Sequence, residues 1–437
     1  MKRFVLALVA FVGLGAPLCA EIEIQDVTSP AGIDAWLVEE HSIPFLALEL
    51  RFKGGASLDA PGKRGAINLM SALLEEGAGD MDAEQFTVAT ESLAAEFRFD
   101  ADADSVSISA RVLTENRDEA LALLRKALLE PRFDDAAVER VRGQVLARIE
   151  SDTMDPQSIS YRTFSNLAFG DHPYGSSVEG TVDSVSALTR DDLIEAKDRV
   201  MVRDRLYVSA VGDIDPEGLA SLLDDLLADL PASGAPMPPK VAPALPGGVT
   251  VIDFDTPQSV VTFGQRGLAM DDPDFFPAFI LTQILGGHGF SSRLMAEVRE
   301  KRGLTYGIGA YLYTMDLSDM LLGSVATVNA RVGETLGIIE DEWQKLASDG
   351  VTPEELDRAK TYLTGEYPLR FDGNERIANI LAGMQTAGMP IDYVRTRNDK
   401  IRSVTVEEVN RVAAELVDPA ELTFVVVGKP EGLDLGQ

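Results

Sequence analysis

The chain has 437 residues, a formal net charge of −32, three histidines and one cysteine. So acidic a surface repels phosphate backbones and anionic lipid headgroups, which argues against nucleic acid and lipid surfaces as partners. A single cysteine permits no disulfide within the chain, and 45% hydrophobic residues at this length can bury two cores.

Residues 1–20 read as a signal peptide. Lys2 and Arg3 precede an uncharged apolar run from Phe4 to Leu18, and Ala20 is a small residue suited to cleavage before Glu21. The run falls short of the roughly 20 residues of a membrane span. Cleavage removes Cys19 and both basic residues, which takes the net charge from −32 to −34. The expected location is the periplasm, with no membrane attachment after leader cleavage.

Residues 21–230 form a first expected domain. Leu46 to Phe52 alternates as a strand does, and so do Val106, Ile108, Ala110 and Val112. Leu121, Leu124 and Leu128 recur at helical spacing, followed by Val138, Val141, Val145 and Ile149. Strands come in groups and helices come in groups. That order predicts an α+β fold, a mainly antiparallel sheet covered by helices on one face.

Pro231 to Gly248 holds six prolines and three glycines and reads as a semi-rigid linker. Residues 249–437 then repeat the first domain. Thr189 to Gly212 and Thr405 to Gly428 align without a gap at an offset of 216, each a capped helix followed by an apolar strand. Gly55 to Pro61 lies 212 residues before its counterpart, Gly267 to Pro273. The period is far too long for a solenoid, so the pattern predicts two homologous domains.

No pair among His41, His172 and His288 has metal-ligand spacing, neither HExxH nor HxxEH. Neither a GxSxG elbow nor a phosphate-binding Gly-x-x-x-x-Gly-Lys loop occurs. His41 and the His-Pro-Tyr-Gly turn at His172 read as surface and turn residues. Leu285 to Leu312 is more informative. Gly286, Gly287 and Gly289 open a loop in which backbone can approach another chain closely, with His288 inside it. A helix is expected from Ser292 to Arg302, ended by Gly303, with Leu304, Tyr306, Ile308 and Ala310 alternating along the next strand. Arg299 near the helix end and Tyr306 past the turn can then face a carbonyl together. The alternative is a solvated arginine and a core tyrosine.

The stretch Ser291 to Tyr306, SSRLMAEVREKRGLTY, resembles the C-terminal segment of the insulinase/pitrilysin zinc peptidases. That family includes the mitochondrial-processing-peptidase and cytochrome bc core subunits, and bacterial two-subunit peptidases. The resemblance covers the whole mature chain and implies two α+β domains that pair with a second such subunit. The family's HxxEH motif follows a Lys-x-Gly turn. Aligned on Lys63-Arg64-Gly65 and Gly77, its positions are Asn68, Leu69, Met70, Ser71 and Ala72, and the downstream glutamate ligand falls near Arg148. Neither Ser71 nor Ala72 can hold zinc or act as a base on its water. Arg299 and Tyr306 match the family's arginine–tyrosine pair in type and spacing. The resemblance therefore implies a zinc-less subunit with no cofactor of its own. It would bind peptide substrate at Gly286, Gly287, His288 and Gly289, and lend Arg299 and Tyr306 to the zinc of a homologous HxxEH-bearing partner. The competing expectations are a structural or assembly subunit, and a lone peptide-binding protein without peptidase activity.

Overall fold

The structure is a computed structural model and describes residues 22–287 and 292–433. The leader lies outside the described residues. The first half supplies β1 (Gln25–Thr28), β2 (Asp34–Glu39), β3 (Phe45–Lys53), a two-residue hairpin of β4 (Gly77–Ala78) and β5 (Met81–Asp82), β6 (Glu96–Ala101), β7 (Ser105–Leu113) and β8 (Leu206–Gly212). The second half supplies β9 (Gly248–Asp253), β10 (Gln258–Arg266), β11 (Ile308–Thr314), β12 (Asp319–Val328) and β13 (Thr423–Gly428). The main sheets run β1-β2-β8-β3-β7-β6 and β11-β12-β10-β13-β9. Each is antiparallel except for one parallel pair, β2 with β8 and β9 with β13.

The repeat read from the sequence is visible in this topology. Without β1, the first sheet read from β6 inward has the strand order of the second read from β11. Gly212 ends β8 and Gly428 ends β13, at the offset of 216 found in the sequence. Thr189 and Thr405 each close a capping box at the helix before that strand.

The helices that matter below are α1 (Ala66–Ala72), α2 (Asp135–Asp152), α3 (Pro156–Phe169), α4 (Arg190–Val200), α5 (Phe275–Gly286) and α6 (Asn374–Thr386). Leu46, Leu48, Leu50 and Phe52 on β3 pack with Ile67, Leu69 and Met70 of α1 in the core of the first half. Phe263 and Phe424 pack with Trp343 in the core of the second.

One helix of each half crosses to the far face of the other half's sheet. Phe164 of α3 is fully buried against Met320, Leu322, Val425 and Val427. Ser160 on the same helix donates to the Val425 carbonyl at 3.1 Å and accepts the Thr262 amide at 3.0 Å. In exchange, α6 lays Ala378, Leu381 and Met384 against Ala47 and Val211. Ser209 donates to the Ala378 carbonyl at 2.6 Å, and Gln385 to the Val208 carbonyl at 2.7 Å. Residues 231–247 contain no helix or strand but are tied to both halves, by Ala235 N to Arg199 O at 3.1 Å and Val241 N to Leu317 O at 2.8 Å.

A polar contact also joins the halves. The Tyr174 hydroxyl donates to Asp104 and accepts the Leu317 amide at 3.0 Å, while the Asp316 amide donates to Asp104 at 3.3 Å. Lys53 pairs with Asp316 at 3.1 Å. Burial pushes the Asp104 carboxyl up to about 6, against the lowering effect of Tyr174, and burial likewise raises Asp319 to about 6. A carboxyl raised in the folded state stabilises the fold below its unfolded pKa and loses that contribution as pH rises through the folded value. Melting temperature is therefore expected to climb by a few degrees as pH falls from 7 toward 4. Asp104→Asn should flatten part of that rise, and an Asp104→Asn melting profile parallel to the parent's across this window would refute the assignment.

Candidate functional site

The Lys63-Arg64-Gly65 turn delivers α1. Gly65 has φ of 93°, in the left-handed region, and an added Cβ there would sit 2.4 Å from the Glu179 carbonyl oxygen. The Arg64 guanidinium is nearly buried. It donates to the carbonyls of Ala56, Ser177 at 2.9 Å, Pro173 at 3.0 Å and Ser176 at 3.2 Å. Its charge partner Asp59 lies at 3.3 Å and accepts the amides of Gly65 and Ile67, both at 2.9 Å. The pair thus serves as a cap for α1, whose own N-cap residue has no side chain.

On α1, Asn68 and Ala72 are half-buried, one turn apart on one face. Ser71 is buried, and its Oγ makes no hydrogen bond among the described residues. Arg148 lies on α2 with an exposed side chain, paired one turn on with Asp152 at 3.7 Å. Among the described residues, no group of three or more His, Cys, Asp or Glu side chains is placed to hold a metal ion. An amide, a hydroxyl and a methyl on α1 offer zinc no anionic or imidazole ligand. Metal analysis of the purified chain is expected to find no stoichiometric zinc, and one zinc per chain would reject this alignment.

Two histidines have structural surroundings. His41 is largely exposed between Asp213 at 2.8 Å and Glu39 at 3.1 Å, and those hydrogen bonds raise its pKa. His172 accepts the Tyr174 amide on Nδ1 at 3.3 Å, which leaves Nε2 to donate to the Pro239 carbonyl at 3.2 Å. His288 and Gly289 lie outside the described residues.

Gly286 is the last residue of α5 and is buried. A Cβ there would lie 2.4 Å from the Ala310 amide nitrogen, so this glycine lets α5 seat on β11. A Cβ on Gly287 would meet the end of the Gln283 side chain. The close approach of backbone expected at Gly286 is therefore made to the chain's own β11.

The segment from Ser292 onward departs from expectation in two ways. The helix forms, but Met295 to Glu300 is wound as a π-helix. Such wide turns are uncommon and cluster at functional sites. It buries Leu294, Met295 and Val298, while Glu297 faces outward to Lys301 and Arg302 and Arg293 pairs with Glu355 at 2.7 Å. Arg299 is half-buried on its last turn. Gly303, at φ of 62°, ends the helix by donating to the Arg299 carbonyl at 2.9 Å, as the sequence predicts.

The second departure concerns Tyr306. The strand begins at Ile308, not Leu304. Thr305 folds over the chain, its Oγ1 accepting the Gly307 amide at 3.1 Å and donating to the Gly307 carbonyl at 2.9 Å. The Leu304 carbonyl is held by the Thr327 hydroxyl at 2.7 Å, and Ile308 is paired with Val325. The chain between these two anchors bends outward. Leu304 and Ile308 are buried, whereas Tyr306 is 91% exposed. Tyr306 is thus not a core ring, and Thr305 is the positioning residue that sequence reasoning missed. The signal was a threonine two residues before a glycine, in a run that otherwise alternates as a strand.

Residues 36–182 match the family model described as insulinase, peptidase family M16, and residues 187–363 match the one described as peptidase M16 inactive domain. The chain belongs to peptidase family M16. A Helicobacter pylori protein named non-peptidase homolog YmxG is 26% identical over 430 residues, covering 98% of each chain. A Streptomyces coelicolor protein named as an uncharacterized zinc protease is 29% identical over 378 residues, 83% of this chain and 80% of that one. The crystal structure of a Pseudomonas fluorescens peptidase M16 inactive domain superposes with a TM-score of 0.86 at 27% identity, covering 94% of this chain and 98% of that one. The α+β fold of this M16 chain is that of its structural neighbour, and the residues matched by the insulinase model contain no HxxEH sequence.

Proposed function

We propose that the chain is the zinc-less subunit of a two-subunit periplasmic metallopeptidase, inactive alone. In this reading a homologous subunit with an HxxEH motif holds the zinc, and Arg299 and Tyr306 act there in trans. The single observation that carries the reading is the exposure of Tyr306 midway between the buried Leu304 and Ile308. A phenol held out in water by a threonine bend and two anchors contributes nothing to the core, and it offers a donor to a substrate carbonyl. The loss of zinc-binding side chains at Asn68, Ser71 and Ala72, and the match to an inactive-domain model, support the same reading. The leader-like residues 1–20 support the location.

Arg299 binds the substrate backbone, and Tyr306 donates to the oxygen that becomes negative as the partner's water attacks. Peptide cleavage is to be measured with this chain alone, with an HxxEH-bearing relative from the same organism alone, and with the two mixed. Activity in the mixture only, abolished by a chelator, is the expected result. No gain on mixing would replace this reading by a structural or peptide-binding role.

A further inference from the structure

A cavity of about 290 Å³ opens between β3, β6 and β7 and the crossing helix α6, on the sheet face opposite α1. Its most buried charge is Glu49, 2% exposed. One carboxylate oxygen accepts the Ser109 hydroxyl at 2.6 Å. Among the described residues, the other has only distant polar neighbours, the Asn379 amide and the Arg51 Nε, each at 3.5 Å. That Nε makes no hydrogen bond among the described residues. A carboxylate so buried ordinarily takes close donors on both oxygens, and burial pushes this carboxyl up despite Ser109 and Arg51.

The other charges of the cavity divide unequally. Arg111 is engaged by Glu96 at 2.7 Å and Glu375 at 3.4 Å. Arg98 and Arg376 are exposed, and neither makes an ion pair or hydrogen bond among the described residues. Register places Arg98, Ser109 and Glu49 in one cross-strand row. Two strand spacings, roughly 10 Å, therefore separate the backbone positions of Arg98 and Glu49. The site offers one under-satisfied carboxylate inside and two uncommitted guanidiniums at its edge, with Ala47, Ala110 and Ala378 along the walls.

We propose that this cavity binds a basic amino acid, free or as the C-terminal residue of a peptide, its side-chain cation on Glu49 and its carboxylate on Arg98 and Arg376. Lysine or arginine carries opposite charges at the two ends of an apolar stem, which is the pattern the cavity presents. The site needs neither a zinc-bearing partner nor Tyr306, so it stands or falls separately from the peptidase reading.

Calorimetric titration of the full mature chain tests it, with L-arginine, the tripeptide Ala-Ala-Arg, its C-terminal amide, and agmatine. Arginine and the free-acid peptide are expected to bind one to one. Agmatine and the amide, which lack the carboxylate, should bind at least about tenfold more weakly. Tighter binding of the peptide would identify a peptide end as the ligand, and equal binding would identify the free amino acid. Glu49→Gln should cost about tenfold or more, and the exposed double variant Arg98→Ala/Arg376→Ala keeps the test sound if Glu49→Gln fails to fold. No binding by the parent chain, equal affinity for agmatine and arginine, or an unaffected double variant would overturn the proposal.

Discussion

Tyr306→Phe is expected to lower turnover of the proposed two-subunit peptidase about a hundredfold, with assembly and melting temperature unchanged. The substitution removes one hydroxyl and keeps the ring. At a site 91% exposed, neither packing nor a buried hydrogen bond is lost, so folding has no reason to respond. The rate does have a reason. A donor aimed at a developing oxyanion contributes roughly 3 kcal/mol that the ground-state carbonyl does not receive. The loss should therefore fall on kcat more than on KM. Thr305→Ala provides the companion result. It deletes the hydrogen bonds that bend the chain at Gly307 and should lower kcat in the same direction but less, since Leu304 and Ile308 still anchor both ends. Turnover in Tyr306→Phe within twofold of the parent would remove the tyrosine from the chemistry.

How much of this was readable beforehand depends on the range of the interaction. The Arg299–Tyr306 spacing, the stop at Gly303 and the threonine caps at Thr189 and Thr405 are local, and the sequence displays them. The duplication was readable because Gly212 and Gly428 end equivalent strands. The helix exchange was not. Alternation along β3 suggests one wet face, yet Ala47 and Glu49 are as buried as Leu46 and Leu48 because α6 arrives from more than 300 residues away. A trace of it lies in β13, whose apolar run Thr423 to Gly428 is buried on both faces. The strand start at Ile308 was missed because a threonine side-chain turn overrode a perfect strand alternation.

Arg64→Met is expected to destabilise the chain by about 3–5 kcal/mol, as the shift of a urea transition at constant slope. Methionine keeps much of the stem volume but strips the donors from a guanidinium that binds the carbonyls of Ala56, Pro173, Ser176 and Ser177. It also leaves Asp59, whose side chain is 3% exposed, charged and without its cation. Burial pushes the Asp59 carboxyl up and the Arg64 guanidinium down, so desolvation of both outweighs their mutual attraction. The pair persists because its surrounding polar groups are satisfied, and the cost appears when one partner goes. The double variant Arg64→Met/Asp59→Asn should consequently recover part of the loss. Asp59 accepts the Gly65 and Ile67 amides on separate oxygens, so asparagine keeps one of these two bonds, but it carries no charge to strand. A double variant no more stable than Arg64→Met would show that the carbonyl contacts, and not the stranded carboxylate, dominate. A single-variant loss below about 1 kcal/mol would mean that α1 is held by its apolar face alone.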